Sequence, residues 1–197
     1  MSTPRKLVLD DIADLRAYER ERDEFRAHII ALKKKRRIGV GPHVTLVFEN
    51  RDTIRFQIQE MARAEKILSD EGIQTELDVY NKVIPEPGTL SATLFIELVT
   101  DAELREWLPK LVGIERSIVL RFAGHEVRCR PEADHEAQLT RDEITASVHY
   151  VVFELTPEQV ADWGHGPVAL AVDHPAYQHS TTLSDDTVAE LATDLRA

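Results

Sequence analysis

Between Gly41 and Glu65 the chain reads GPHVTLVFENRDTIRFQIQEMARAE, and its hydrophobic period changes within a few residues. Only a strand running directly into a helix satisfies both halves. From His43 to Glu49, strict alternation puts Val44, Leu46 and Phe48 on one face and His43, Thr45, Val47 and Glu49 on the other. Asn50 and Asp52 then offer short side-chain oxygens to the free amides of a new helix. In that helix Ile54, Ile58, Met61, Glu65 and Leu68 share a stripe, with Gln57 and Ala64 beside it. Glu65 therefore falls in the apolar face, where an unpaired carboxylate would cost several kcal/mol.

A charge in that place calls for a partner, and the preceding segment offers one. Residues 9–37 read as a long helix in which Leu15, Tyr18, Arg22, Phe25, Ile29 and Leu32 are spaced alternately three and four apart. This is the seam of a helix packed along another, and Arg22 is its one charge. The expectation is that Arg22 and Glu65 meet, either as a buried ion pair or, with Gln57, as the lining of a polar pocket. The basic run Lys33–Arg37 reads as a solvated last turn complementing the helix dipole.

Beyond Gly72, read as a stop signal, a short helix carries Ile73, Leu77, Tyr80 and Ile84 on one side and ends at Pro85–Gly88. The second half repeats a pattern. A strand at Leu94–Leu98, a helix opened by Thr100 and Glu103, and a strand at Ser117–Phe122 are echoed by Val148–Phe153, Thr156 with Gln159, and Val168–Val172. Both helix starts fit the capping box, in which hydroxyl and longer side chain satisfy two free amides reciprocally. Gly124–Gln138 is polar, broken by Pro131, and reads as a β-turn and exposed loop. Ser184–Leu195 reads as an amphipathic helix with Val188, Leu191 and Leu195 inward.

The fold class predicted is α+β: an N-terminal long-helix hairpin over residues 1–88, with one strand, packed on a mixed sheet over residues 89–197 built partly from the two strand–helix–strand units, and a C-terminal helix. No low-complexity linker separates these parts, so they are expected to form one unit. With 43% hydrophobic and 30% charged residues the composition suits a globular protein. The net charge of −11 argues against nucleic-acid or acidic-membrane partners. No apolar run approaches the roughly 20 residues of a membrane span. Cys129, the one cysteine, cannot make an internal disulfide, and no apolar signal core is visible, so a cytoplasmic location is expected.

The segments YERERDEFRAHIIALKKKRR, GPHVTLVFENRDTIRFQIQEMARAE, ELDVYN and LSATLFIE resemble an uncharacterised bacterial family defined only as a domain of unknown function. The likeness is strong over residues 5–98 and looser beyond. It implies a genomic neighbourhood of rubrerythrin-like and iron–sulfur oxidoreductase proteins, and hence a redox or metal-related context with such a protein as partner. It assigns no catalytic residue. The polar positions that carry the likeness, His43, Glu49, Arg51, Gln57, Glu60 and Glu65, are where a family site is expected.

Two chemistries follow from the residues themselves. Arg51 and Arg55, one turn apart at a helix start, could hold a small anion beside free amides, unless Glu49 and Asp52 neutralise them. His43, His149 and His174, all on strands, could converge on iron or zinc with Glu97 or Glu49 as a carboxylate ligand, although their long spacings match no local ligand motif. A di-iron carboxylate site is not supported, because no Glu-x-x-His occurs on either long helix. Nucleophile elbows and glycine-rich phosphate loops are also missing. Three readings result: a non-catalytic accessory protein, a metal- or anion-binding protein with its site at the first strand–helix junction, and an enzyme of unrecognised type built around Glu65.

Overall fold

The computed structural model describes residues 5–132 and 144–196. After a 3-10 turn at Leu9–Asp11, helix α1 spans Leu15–Arg36, opened by Asp14, whose carboxylate accepts from the Ala17 amide at 2.9 Å. Its seam is the predicted one: Tyr18 and Ile29 are buried, and Leu15, Arg22, Phe25 and Leu32 are half-buried. The helix stops at Arg36 because the chain turns into a strand that the sequence pattern did not reveal, β1 (Arg37–Val40), which pairs antiparallel with β2 (Val44–Glu49). The turn between them needs Gly41, at φ +72°, since a Cβ there would lie 2.5 Å from Tyr177 and His179 side-chain atoms.

Asn50 ends β2 and caps α2 (Arg51–Glu65), accepting from Thr53 N at 3.0 Å while Thr53 Oγ1 accepts from Asn50 N at 2.9 Å. Such a cap contributes about 1 kcal/mol. The helix ends earlier than the apolar stripe implied. Lys66 adopts the left-handed conformation, so Glu65 and Leu68 are exposed, and Gln59 and Ala62 are buried beside Ile54 and Ile58. Gly72 is no stop signal: it lies in the first turn of α3 (Asp70–Tyr80), donating its amide to the capping Ser69 hydroxyl at 3.2 Å. Leu7, Ile54, Ile58, Leu77, Val83 and Ile84 form a small core under these helices.

Both capping boxes form, in α4 (Asp101–Lys110) and α5 (Pro157–Asp162). The strands around them are β3 (Thr89–Ile96) and β4 (Ile118–Phe122) in the first copy, β7 (Val148–Glu154) and β8 (Val168–His174) in the second. β3 pairs antiparallel with β7, and β4 with β8. Each copy thus gives its first strand to one sheet and its second strand to another, as if about a local dyad. The expected mixed sheet is instead two antiparallel sheets, β1-β2-β3-β7-β6 and β5-β4-β8-β9, with β5 at His125–Arg128, β6 at Arg130–Pro131 and β9 at Tyr177–Thr182. The α+β class stands, and the first sheet draws strands from both sides of residue 88.

The main core fills the space between the sheets, from Val44, Leu46 and Phe48 on one side to Leu120, Leu170 and Val172 on the other. The expected loop at Gly124–Gln138 is largely strand where it is described. An Ala123–Gly124 turn leads into β5 (His125–Arg128), and β6 (Arg130–Pro131) then crosses to the edge of the first sheet, where a proline costs no ladder bond. Cys129 is the buried corner between them, and burial pushes its thiol up to about 12, which disfavours the nucleophilic thiolate. Residues 133–138 of that prediction lie outside the described residues. No helix among the described residues is long and apolar enough to cross a membrane.

The C-terminal helix α6 (Asp185–Arg196) packs as its pattern predicted, with Leu191 and Leu195 in the core. It also resolves the basic run in an unexpected way. Arg36 is 0% exposed, its guanidinium reaching Asp194 at 2.7 and 3.2 Å and Glu190 at 2.8 and 3.1 Å. Burial holds the Asp194 carboxyl above its ordinary value, and Arg36 offsets only part of that rise. Arg36→Met should therefore lower the urea unfolding free energy by about 3–5 kcal/mol, by leaving two acids facing a desolvated void. Lys34→Met, on the exposed side of the same turn, should change it by less than about 0.5 kcal/mol.

Candidate functional site

The outward face of the first sheet is unusually polar for a covered surface. Alternation along β2 points Thr45, Val47 and Glu49 away from the main core, and the register sets Val47 opposite Thr93 of β3, which in turn faces Tyr150 of β7. Helices α1 and α2 lie over this face. Between them and the sheet runs a cleft of about 460 Å³, with Glu49, Thr93 and Tyr150 on the sheet side. Gln57, Glu60, Met61 and Glu65 line it from α2, and Lys33 and Arg37 also line it. That volume falls in the range of roughly 300–1,000 Å³ usual for small-molecule sites.

Glu49 is the distinctive group. It is 4% exposed, and its carboxylate accepts from the Thr93 hydroxyl at 2.7 Å and from the Thr53 hydroxyl. No cation among the described residues pairs with it. Beside it, burial raises the Tyr150 hydroxyl to about 12, the Tyr80 and Glu49 charges push the same way, and a hydrogen bond with Gln57 pulls against them. Gln57, Glu49, Glu60 and Glu65 are thus brought to one cleft from the predicted set. Thr53, Thr93, Tyr150 and the cleft's apolar walls were missed. The available signal was Ser91, Thr93 and Phe95 alternating along a strand whose other face is wholly apolar.

The predicted Arg22–Glu65 pair does not form. Helices α1 and α2 run antiparallel in a register that brings Glu19 to Arg63 and His28 to Asp52, and this sets Arg22 opposite Glu60. Arg22 holds the two Glu60 oxygens at 2.7 and 2.9 Å, and the Tyr18 hydroxyl donates to the first at 2.7 Å. The Arg22 hydrogen bonds hold the Glu60 carboxyl below its ordinary value, with help from Tyr18. Glu65 is left exposed at the rim, so an enzyme centred on it loses its buried acid.

The anion site expected at Arg51 and Arg55 is already occupied by protein acids. Arg51 pairs with Asp11 at 2.6 Å; Arg55 pairs with Glu21 at 3.1 Å, donates to the Asp11 carbonyl and lies over the Phe25 ring. Glu49 and Asp52, the neutralisers expected from sequence, face Thr93 and His28 instead.

The metal reading fails on grouping. His43 packs at a tilt against Trp107, with ring centroids 4.8 Å apart, while the Glu97 carboxylate accepts from Thr45 at 2.8 Å and pairs with Arg37. His149 is buried with its Nε2 between Thr145 Oγ1 and the Ala146 carbonyl, and desolvation lowers its pKa. His174 reaches the Val112 carbonyl at 3.0 Å and accepts from Ala176 N. These four side chains do not converge, and no three His, Cys, Asp or Glu among the described residues are grouped to hold an ion. Iron or zinc therefore has no fitting donor set among them.

The fold and cleft define a two-sheet α+β protein whose helical layer roofs a polar pocket. The chain belongs to the family described as protein of unknown function (DUF3501), whose profile matches residues 6–195 and so extends well past the segments that carried the likeness. It is similar to a novel protein of unknown function from Burkholderia pseudomallei K96243, known from a crystal structure: 38% identical, TM-score 0.88, covering 96% of this chain and 99% of that one. No curated protein matches the chain.

The Glu60 arrangement has a pH signature. Because its folded pKa lies below the ordinary 4.5, the stability it contributes is fully present above that value and is lost as pH falls through the folded one. Between about pH 6 and pH 3 the wild type should lose on the order of 0.5–1 kcal/mol more stability than Arg22→Ala, a small figure because the pair is partly exposed. Urea titrations of the two proteins at stepped pH measure the difference.

Proposed function

We propose that this protein is a cytoplasmic small-molecule-binding protein whose ligand occupies the cleft between α2 and the outer face of the first sheet. The observation that carries this reading is Glu49: a carboxylate 4% exposed, lining a cleft, supported by two hydroxyls and by no cation among the described residues. Desolvating a carboxylate costs several kcal/mol, and a purely structural acid is normally repaid by an arginine or lysine, as Asp194 and Glu60 are here. Polar groups converging in a concave, otherwise apolar-walled space are the usual form of a ligand site.

Non-catalytic binding is favoured over an enzymatic role because Glu65, the expected centre of a catalytic cluster, is solvated and Cys129 is buried. The accessory role beside iron–sulfur or rubrerythrin-like proteins rests on the family resemblance, and a ligand-binding protein is compatible with it.

Blocking the cleft tests the reading. Ala64 lines it from the exposed side of α2, so Ala64→Trp should fill the space without disturbing the core. A panel of small amines, alcohols, sugars and carboxylates should contain compounds that raise the wild-type melting temperature by RT ln(1 + [L]/Kd) linkage, and the variant should lose that response while melting unliganded within a few degrees of wild type. Stabilisation that persists in Ala64→Trp, or a wild type that no compound class stabilises, would rule the cleft out as the site.

A further inference from the structure

Resting on the cleft as a ligand site, we infer that its ligand carries an ammonium head beside an apolar or aromatic body, with the head received by Glu49. Each Glu49 oxygen accepts one hydroxyl bond, from Thr93 or Thr53, and a carboxylate oxygen has room for two acceptor contacts. A donor on the ligand satisfies the unused acceptor directions, and a cationic donor also supplies the opposite charge that no described residue provides.

The walls point the same way. Phe56, Phe95 and Tyr150 line the cleft together with Glu49, and a ring face within about 6 Å of a cation attracts it through the ring quadrupole. Val47, Met61 and Val148 supply the apolar remainder of the wall, suited to a hydrocarbon body. The cleft's own cations do not reverse the balance. Arg37 is held by Glu97, and Lys33 is outnumbered by Glu49 and Glu65 in the lining. The chain's net charge of −11 adds a long-range field that draws in a cation and repels a carboxylate.

A carboxylate or alcohol of the same shape is disfavoured for separate reasons. An anion placed against Glu49 meets like charge in a desolvated space, and a neutral hydroxyl fills the acceptor position without supplying the missing charge.

Three probes of matched shape separate the cases: phenethylamine, 2-phenylethanol and 3-phenylpropionate, titrated into the full-length protein at neutral pH by calorimetry and thermal shift. The expected result is that phenethylamine binds with at least about tenfold higher affinity than either analogue. Glu49→Gln should erase that preference, and Ala64→Trp should abolish binding of all three. If Glu49→Gln does not fold, the wild-type order of affinities still decides. Equal or tighter binding of the alcohol or the carboxylate, lost in Ala64→Trp, overturns the ammonium assignment and leaves the cleft standing as a site. Failure of phenethylamine to bind while another compound class binds in an Ala64→Trp-sensitive way overturns it equally. Phenethylamine binding that survives Ala64→Trp overturns both readings.

Discussion

A guanidinium sealed from water at the end of α1 ties the two ends of this chain together. Arg36 grips Asp194 and Glu190 of α6, 158 and 154 residues away, while Arg5 reaches the Asp194 carbonyl from the N-terminal side. A buried arginine of this kind is intolerant of approximate geometry, because each lost hydrogen bond exposes a charge to low dielectric. It therefore sets where α1 ends. With that end pinned beneath α6, the next residue enters β1, and the axis of α1 over the first sheet is determined.

The consequences pass to α2 and to the cleft. The antiparallel register of α1 and α2 is read out in successive side-chain pairs, from Arg63 with Glu19 to Asp52 with His28, and in the edge-to-face packing of Phe25 on Phe56. Ile54 and Ile58 sink one side of α2 into the small core with Leu77 and Ile84, so its other side stands off the sheet near Thr93 and Phe95. The space left is bounded by a polar strand face because β2 and β3 spend their apolar residues on the opposite side, where the two sheets meet. A sandwich core on one face and a helix-roofed cleft on the other are two outcomes of one alternation.

Glu49 stands where these constraints intersect. It is the last residue of β2, one before the Asn50 cap, and the capping Thr53 that fixes the start of α2 also donates its hydroxyl to the carboxylate. Helix initiation and site construction thus share one side chain. That coupling gives the acid a rigid setting without a neutralising cation among the described residues, which is the condition under which a bound partner of opposite charge gains most.

Much of the architecture was legible in the residue order. The strand-to-helix switch at Asn50, the seam of α1, both capping boxes and the inward face of α6 all rest on contacts within a few residues, where periodicity and side-chain-to-amide bonding act alone. The doubled strand–helix–strand unit was legible too, and so were Glu49, Gln57 and Glu60 as residues worth watching. Which acid meets Arg22, how β3 and β7 share one sheet while β4 and β8 share another, and that Arg36 rather than a neighbouring lysine is buried were decided by tertiary structure. Those outcomes depend on helix register and on residues 38 to 158 apart, and a pattern of apolar positions says which face turns inward but not what it finds there.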